Sequence, residues 1–463
     1  MDHQKTTPSS GGETRRDFIK KTATAAAAVA ATGIIKTPVY GQNTAPSTGR
    51  VIGANDRIAV AYIGVGGQGM AHVRSQKAHA GENNIVQVAV CDLWKKRLDD
   101  AKAFIENESS GTKVETYDDY RKMLERKDID AIVSSTVDHW HTRTSVDSMN
   151  AGKHVYVEKP MTRYLGEAFE IYDTVKKTGK VLQVGSQGCS DMKWHKAAEL
   201  IQAGKIGPVV MCQGSYMRNK KDGEWNYAID ADAKPETLNW EGWMGTQIKK
   251  RMPFDADHYF RWRKYYPYCA GLLSDLFPHK LHPYMLATGN PEFPLRVACV
   301  GSRKVETDKL ATPKTYMRDV PEIVQLIAEF PSGMVMHITS SSVNEAGTQE
   351  LIRGHKANLF MAGNKVELKP EKAFSEELEP EEFTGFQPED LPPHEKDWFD
   401  CIRSGKAPHC NIELAVRVQT VISLGEMSER LNLMCLFDEK TRKITAGDGK
   451  EVTPITYGTL PLS

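Results

Sequence analysis

Arg57 to Gly69 reads RIAVAYIGVGGQG, an apolar, β-branched run that breaks into glycines at Gly64, Gly66 and Gly69, the Gly-x-Gly-x-x-Gly spacing. The pattern predicts strand, tight turn, helix. Gly64 permits the turn, Gly66 lets backbone approach a pyrophosphate, and Gly69 lets the helix lie against the strand. Gly67 and Gln68 fall in the first helical turn, whose N-terminus faces the phosphates. A second apolar strand, Ile85 to Cys91, ends in Asp92, 23 positions after Gly69. That is close to the ~20 expected of a carboxylate that binds ribose hydroxyls. The two strands together predict a nucleotide-binding Rossmann unit. Asp92 would repel a 2'-phosphate and so favours NAD over NADP, while Lys95, Lys96 and Arg97 weigh the other way.

Toward the N-terminus, Thr14-Arg15-Arg16-Asp17-Phe18-Ile19-Lys20 precedes an apolar run from Ala23 to Ile35. The run is shorter than the ~20 residues a bilayer span needs, and the whole is similar to a twin-arginine export signal. Residues 1–41 are expected as signal peptide, with cleavage after Gly41, and 42–56 as linker. The route exports folded protein, so the expected location is the periplasm and a tightly bound cofactor would travel with the chain.

At 463 residues the chain exceeds one typical domain. Lys plus Arg and Asp plus Glu both number 60, so no bulk charge attracts nucleic acid or an anionic membrane. The eight cysteines are scattered without a Cys-x-x-Cys pair, which indicates buried thiols rather than a zinc site or a disulfide framework.

Beyond Arg57, short apolar runs alternate with helical patterns in the βαβ rhythm of a parallel sheet. Strands are expected at Asp130–Thr136, His154–Val157 and Val181–Gly185, and helices at Leu93–Asn107 and Leu165–Thr178. After Gly207-Pro208 the pattern changes. Val209–Met217, Glu322–Phe330 and Met334–Ser340 suggest antiparallel sheet, and Leu414–Leu431 a late helix. The expected domains are therefore 57–186, a Rossmann domain, and 187–463, a second α/β domain.

His154-Val155-Tyr156-Val157-Glu158-Lys159-Pro160 resembles the Glu-Lys-Pro motif of the Gfo/Idh/MocA oxidoreductases, and Gly271-x-x-x-Asp275-x-x-x-His279 their Asp-x-x-x-His motif. Asn239-Trp240-Glu241-Gly242-Trp243 and Ile402-Arg403-Ser404-Gly405-Lys406 extend the likeness along the chain. The resemblance implies a Rossmann domain followed by an α/β domain with a large, open-faced, mostly antiparallel sheet, an active site between them, and homo-oligomers built through the open sheet. It also implies that Thr136, Asp138, His141, Glu158 and Lys159 line the cofactor. Val137 and Asp138 depart from the family's usual residues there.

Moving hydride from a sugar carbinol requires a group that takes the hydroxyl proton and one that stabilises negative charge on oxygen. His279 suits the first role and Lys159 the second. Asp275, four residues before His279, is expected on the same helical face, orienting the imidazole or holding a substrate hydroxyl. The resemblance assigns the same three residues. Asp275, His279 and His282 also admit a metal set, but Pro278 and Pro283 disturb the helix it would need, so no metal is expected. The Trp225–Trp262 region, with Tyr216, Arg218, Arg261 and Arg263, is expected on the substrate side, where aromatic faces stack on sugars.

The expected function is an exported NAD(P)-dependent oxidoreductase acting on a sugar, glycoside or polyol. Two alternatives differ in class: a glycosidase that oxidises a ring carbon transiently on bound NAD, and a non-catalytic sugar- or nucleotide-binding module.

Overall fold

Every residue of β1 (Ile58–Ile63) is buried, as a strand must be when helices cover both faces of a parallel sheet. Strands β2 (Ile85–Cys91), β3 (Glu115–Tyr117), β4 (Ala131–Ser134), β5 (His154–Glu158) and β6 (Leu182–Gly185) join it in the order β3-β2-β1-β4-β5-β6, all parallel. The order reverses between β1 and β4. Open α/β sheets bind ligands at such a switch point, outside the carboxyl ends of the strands. Helices α1 (Gly67–Ala78), α2 (Lys95–Glu106), α3 (Asp138–Asn150) and α4 (Leu165–Thr178) connect the strands.

The computed structural model describes residues 57–107, 113–310 and 316–461, all within a compact unit spanning Thr44–Ser463. The twin-arginine motif, the apolar run and the cleavage position lie outside the described residues. No helix among the described residues is long and apolar enough to cross a membrane.

After α5 (Met192–Gln202), the chain builds a second sheet of eleven strands from β7 (Val209–Asn219), β8 (Arg296–Ser302), β9 (Ile323–Glu329), β10 (Val335–Ser341), β11 (Val343–Asn344), β12 (Leu351–Gly354), β13 (Ala357–Phe360), β14 (Val366–Pro370), β15 (Glu381–Phe383), β16 (Cys435–Asp438) and β17 (Lys443–Ala446). Only β7 and β10 run parallel; the other pairings are antiparallel. This is the expected fold class. Strands β3, β8 and β11–β17 were not expected individually; apart from β8, each has five residues or fewer, and several open on charged residues.

Helix α6 (Pro278–Ala287) lies between β7 and β8 in the chain, and α7 (Leu391–Ser404) and α8 (Ile412–Leu431) lie between β15 and β16. Asn411 starts α8 by accepting from the backbone of Glu413 and Leu414 at 3.0 and 3.2 Å, a side-chain cap. Gly425 of α8 lies so near β9 that a Cβ there would fall 2.6 Å from Leu326.

A later helix packs back across the expected boundary at 186/187. Helix α7 returns to the first sheet, where Trp398 and Phe399 share a buried cluster with Val60, Tyr62, Val73 and Val90. The Rossmann core is therefore completed from the far end of the chain, because the apolar face of α7 has its complement there rather than on the second sheet.

Candidate active site

The glycine turn is built as its spacing requires. Gly64 has φ +82°, and a Cβ there would meet the Ser135 carbonyl oxygen at 2.8 Å. A Cβ on Gly69 would fall 2.0 Å from the Gly64 oxygen, so α1 can approach β1 only with glycine at that position. Gly66 caps α1 without a side-chain bond, leaving first-turn N–H groups directed out of the helix. Asp92 holds the turn from β2: its Oδ2 accepts from Val65 N at 2.9 Å and its Oδ1 from Trp94 N at 3.0 Å.

These residues open on a cavity of about 670 Å³ lined by Gly64, Gly66, Gly67, Gln68, Asp92 and Thr136, and on its far side by Trp243, Tyr259, Trp262 and Arg263. The far wall is pinned to the segments that follow β2 and β4. Asn239 N donates to Leu93 O at 2.9 Å, Trp140 Nε1 to Trp243 O at 2.7 Å and Gln247 Nε2 to His139 O at 2.7 Å. Arg97 lies over the rings of Trp94 and Tyr259 and faces the turn, its Nη1 3.0 Å from the place of a Gly66 Cβ. A cation so placed suits a pyrophosphate as well as a 2'-phosphate. The adjacent Lys96 turns away to Asp230 and Asp232.

Of the residues expected at the cofactor, Gly69, Asp138, His141, Glu158 and Lys159 do not line this cavity. Asp138 is buried in the first turn of α3, where burial pushes its carboxyl up to about 7 against the pull of Arg263. His141 is buried between carbonyls, Nδ1 2.7 Å from Pro160 O and Nε2 3.2 Å from Thr136 O. It braces the segment carrying Lys159. Glu158 turns inward, accepting from Gln68 Nε2 at 3.0 Å and lying 2.9 Å from His72 Nε2. The other nitrogen of His72 is 2.7 Å from Glu395 Oε1 on α7. Burial disfavours an imidazolium, yet the two carboxylates raise His72 to about 9. The buried triad ties the glycine-turn helix, the end of β5 and α7 together. Sequence reasoning missed His72 and Glu395: they lie 323 positions apart, and neither stands in a recognisable motif.

Lys159 also lies outside that cavity wall. Its Nζ is 2.9 Å from Asp275 Oδ1 and 2.9 Å from Asp275 O. Asp275 further accepts from Arg263 Nε at 3.0 Å and Trp225 Nε1 at 3.2 Å. Burial alone would raise this carboxyl, but Lys159 and Arg263 hold it well below the carboxylate range. The expectation that Asp275 orients His279 along one helical face is corrected: Asp275 ends a short helix (Leu272–Asp275) and His279 sits in α6, across a break at Leu276–Phe277.

His279 packs beneath Tyr216, ring centroids 5.1 Å apart, with Nδ1 3.4 Å from Glu389 Oε1. Burial pulls its pKa below the ordinary imidazole value; Glu389 opposes that pull and Lys159 adds to it. His282 faces the Pro278 carbonyl at 3.1 Å instead, so Asp275, His279 and His282 turn to separate neighbours. No group of three or more metal-ligating side chains forms among the described residues. All eight cysteines are buried free thiols. Of the expected substrate-side cations, Arg218 pairs with Glu224 and Arg261 with Asp257, while Arg263 reaches both Asp275 and the cavity.

Residues 58–186 match the profile of the GFO_IDH_MocA oxidoreductase family, NAD-binding Rossmann fold. A glycosyl hydrolase family 109 protein of Shewanella sp. (strain W3-18-1) is 36% identical over 234 residues, 46% of this chain and 49% of that protein. An alpha-N-acetylgalactosaminidase of Shewanella oneidensis is 28% identical over 197 residues, 39% of this chain and 42% of that protein. The chain thus spans about half the length of the curated relatives it matches. Among solved structures, a levoglucosan dehydrogenase in complex with NADH and L-sorbose superposes with a TM-score of 0.61 at 18% identity, covering 82% of this chain and 98% of that one. At that identity the likeness is one of fold.

Proposed function

We propose, for a chain whose residues 58–186 form an NAD-binding Rossmann domain of the Gfo/Idh/MocA oxidoreductase family, that the protein transfers hydride between NAD and a carbinol carbon of a sugar, glycoside or polyol. The observation that carries this reading is the Lys159 ammonium, fixed 2.9 Å from Asp275 just beyond β5, at the strand ends where the glycine turn and Asp92 also lie. The residues fit a dinucleotide: the cradle at Gly64 has no room for a Cβ, and Gly67 faces open space. When bound, nicotinamide supplies the hydride acceptor or donor.

The chain's own groups do the remainder. Lys159 directs a cation at the substrate oxygen and stabilises the negative charge developing there. Asp275, shared between Lys159 and Arg263, fixes that cation in place. His279 takes the hydroxyl proton and returns it in the reverse direction. Its lowered pKa keeps the imidazole neutral, and so ready to accept a proton, near pH 7. Trp262, half-buried on the far wall of the cavity, offers aromatic surface to a sugar.

A second reading, a glycosidase, is favoured by the similarity to proteins named as glycosyl hydrolase family 109. In it a ring carbinol is oxidised transiently, the neighbouring C–H becomes acidic, the glycosidic group leaves by elimination, water adds to the double bond so formed, and the ring carbonyl is reduced again with no net NADH. The same base and oxygen-directed cation serve both.

The test is to identify the nucleotide carried by purified protein, then to screen sugars and glycosides for cofactor reduction and for product. Net NADH supports the dehydrogenase, and glycoside cleavage without NADH the second reading. Protein that binds neither dinucleotide and turns over no carbinol overturns both. We also propose folded export by the twin-arginine route to the periplasm, and self-association through the open sheet, whose Val300 and Ile327 are exposed.

A further inference from the structure

We infer that Glu389 is a positioning residue for His279: by accepting from Nδ1 it sets the tautomer and tilt of the ring, leaving Nε2 to meet the substrate hydroxyl. The inference rests on His279 acting as the base proposed above. Such a base needs its second nitrogen held, because an imidazole free to flip presents the wrong atom half the time. Asp275, the carboxylate that spacing assigned to this task, is taken up by Lys159, Arg263 and Trp225.

Glu389, which comes from the segment leading into α7, lies with Oε1 3.4 Å from His279 Nδ1. That nitrogen is buried and meets no acceptor at good hydrogen-bond geometry among the described residues. An approach of a few tenths of an ångström completes the bond, a tightening common when a catalytic pair takes up substrate. The glycine at 188 makes room for the carboxylate: a Cβ there would lie 3.3 Å from Glu389 Oε2. Tyr216 of β7 closes one face of the ring, and Arg218 and Lys280 lie over the Tyr216 ring in turn.

The charges acting on His279 come from three elements. Glu389 raises its pKa, Lys159 beyond β5 lowers it, and Asp275 of the preceding short helix raises it. On the other side of the pair, burial opposes ionisation of Glu389, yet His279, with Lys280 and His394, holds that carboxyl below its ordinary value. The remaining partners of the two groups thus lie on α6 and α7 themselves.

The test is histidine NMR on the purified holoprotein without substrate, with the His279 signals assigned by their loss in His279→Asn. In wild type the neutral ring is expected as the Nδ1–H tautomer; an Nε2–H tautomer overturns the proposal without any variant. Glu389→Gln should lower the His279 pKa, and Glu389→Asp should restore part of the shift. An unchanged His279 titration in a folded Glu389→Gln protein also overturns it. These readouts need no turnover, so they remain decisive if no sugar is oxidised. With an active substrate, Glu389→Gln should lower kcat on the order of 10-fold, a fraction of the ~10² to 10⁴ due to the base itself. KM should change little, and the acid limb of the rate profile should move to lower pH.

Discussion

The Nζ of Lys159 lies 2.9 Å from the Oδ1 of Asp275, although 116 positions separate them in the chain. Both side chains are nearly buried, 13% and 9% exposed. In such surroundings a broken ion pair costs more than an intact one contributes. Asp275→Ala, which leaves Lys159 and Arg263 facing each other without a counter-charge, should lower unfolding stability by about 3–5 kcal/mol. Denaturant titration measures it. The folded carboxyl is held below its unfolded value, so its contribution is present above the unfolded pKa of ~3.9 and is lost as pH falls toward the folded one. The stability difference between wild type and Asp275→Asn should therefore shrink with acidification below about pH 4.

His72 behaves in the opposite sense. Its folded pKa is raised from 6.5 to about 9, so the stabilisation from Glu158 and Glu395 is fully present below pH 6.5 and fades as pH rises through about 9. The melting-temperature advantage of wild type over His72→Gln should narrow over that window. A constant difference from pH 6 to 10 would mean that the buried imidazole is neutral throughout.

Asp92→Ala should weaken NAD binding more than NADP binding if, as proposed, the carboxylate accepts from ribose hydroxyls and so opposes a 2'-phosphate. The loss for NAD is expected at roughly 10- to 100-fold, the size of one or two charge-assisted hydrogen bonds. Part of it will reflect the turn itself, since Asp92 also holds Val65 and Trp94. Titration against both dinucleotides decides; equal losses would place the preference elsewhere, with Arg97 the next residue to change.

His279→Asn should retain fold and bound nucleotide while turnover falls by ~10² to 10⁴. Lys159→Ala should lower turnover and substrate affinity together, because an oxygen-directed cation acts in the ground state as well as the transition state. Single-turnover cofactor reduction as a function of pH separates the two. A wild-type rate and pH profile in His279→Asn would move the base to Lys159 or to another residue.

Replacing Arg15 and Arg16 with Lys should leave folded, cofactor-loaded protein in the cytoplasm. Cell fractionation reads this directly, and undiminished periplasmic protein would end the twin-arginine reading.

The Rossmann half was legible because its signals are local. Glycine spacing, a buried apolar strand and a carboxylate at the next strand end all lie within 36 positions, Arg57 to Asp92, and each acts through backbone sterics that neighbouring residues set. Helix α4 coincides with its expected span of Leu165–Thr178 for the same reason, a sustained amphipathic period. Asp138, His141 and Glu158 show where local reading stops. Their positions beside the strand ends were readable; whether each side chain faced cavity or core was not, since that depends on what packs against them.

What the sequence determined by itself was the doubly wound unit, the order of its motifs and the residue types able to move a proton and steady an oxyanion. Tertiary structure alone decided the partners. It gave Asp275 to Lys159 and Arg263 rather than to His279, set Glu389 beside His279, buried His72 between Glu158 and Glu395, and returned α7 to the first sheet. The physical reason is that charge pairing and apolar packing act through space over a few ångströms, between groups whose separation along the chain carries no information about that distance.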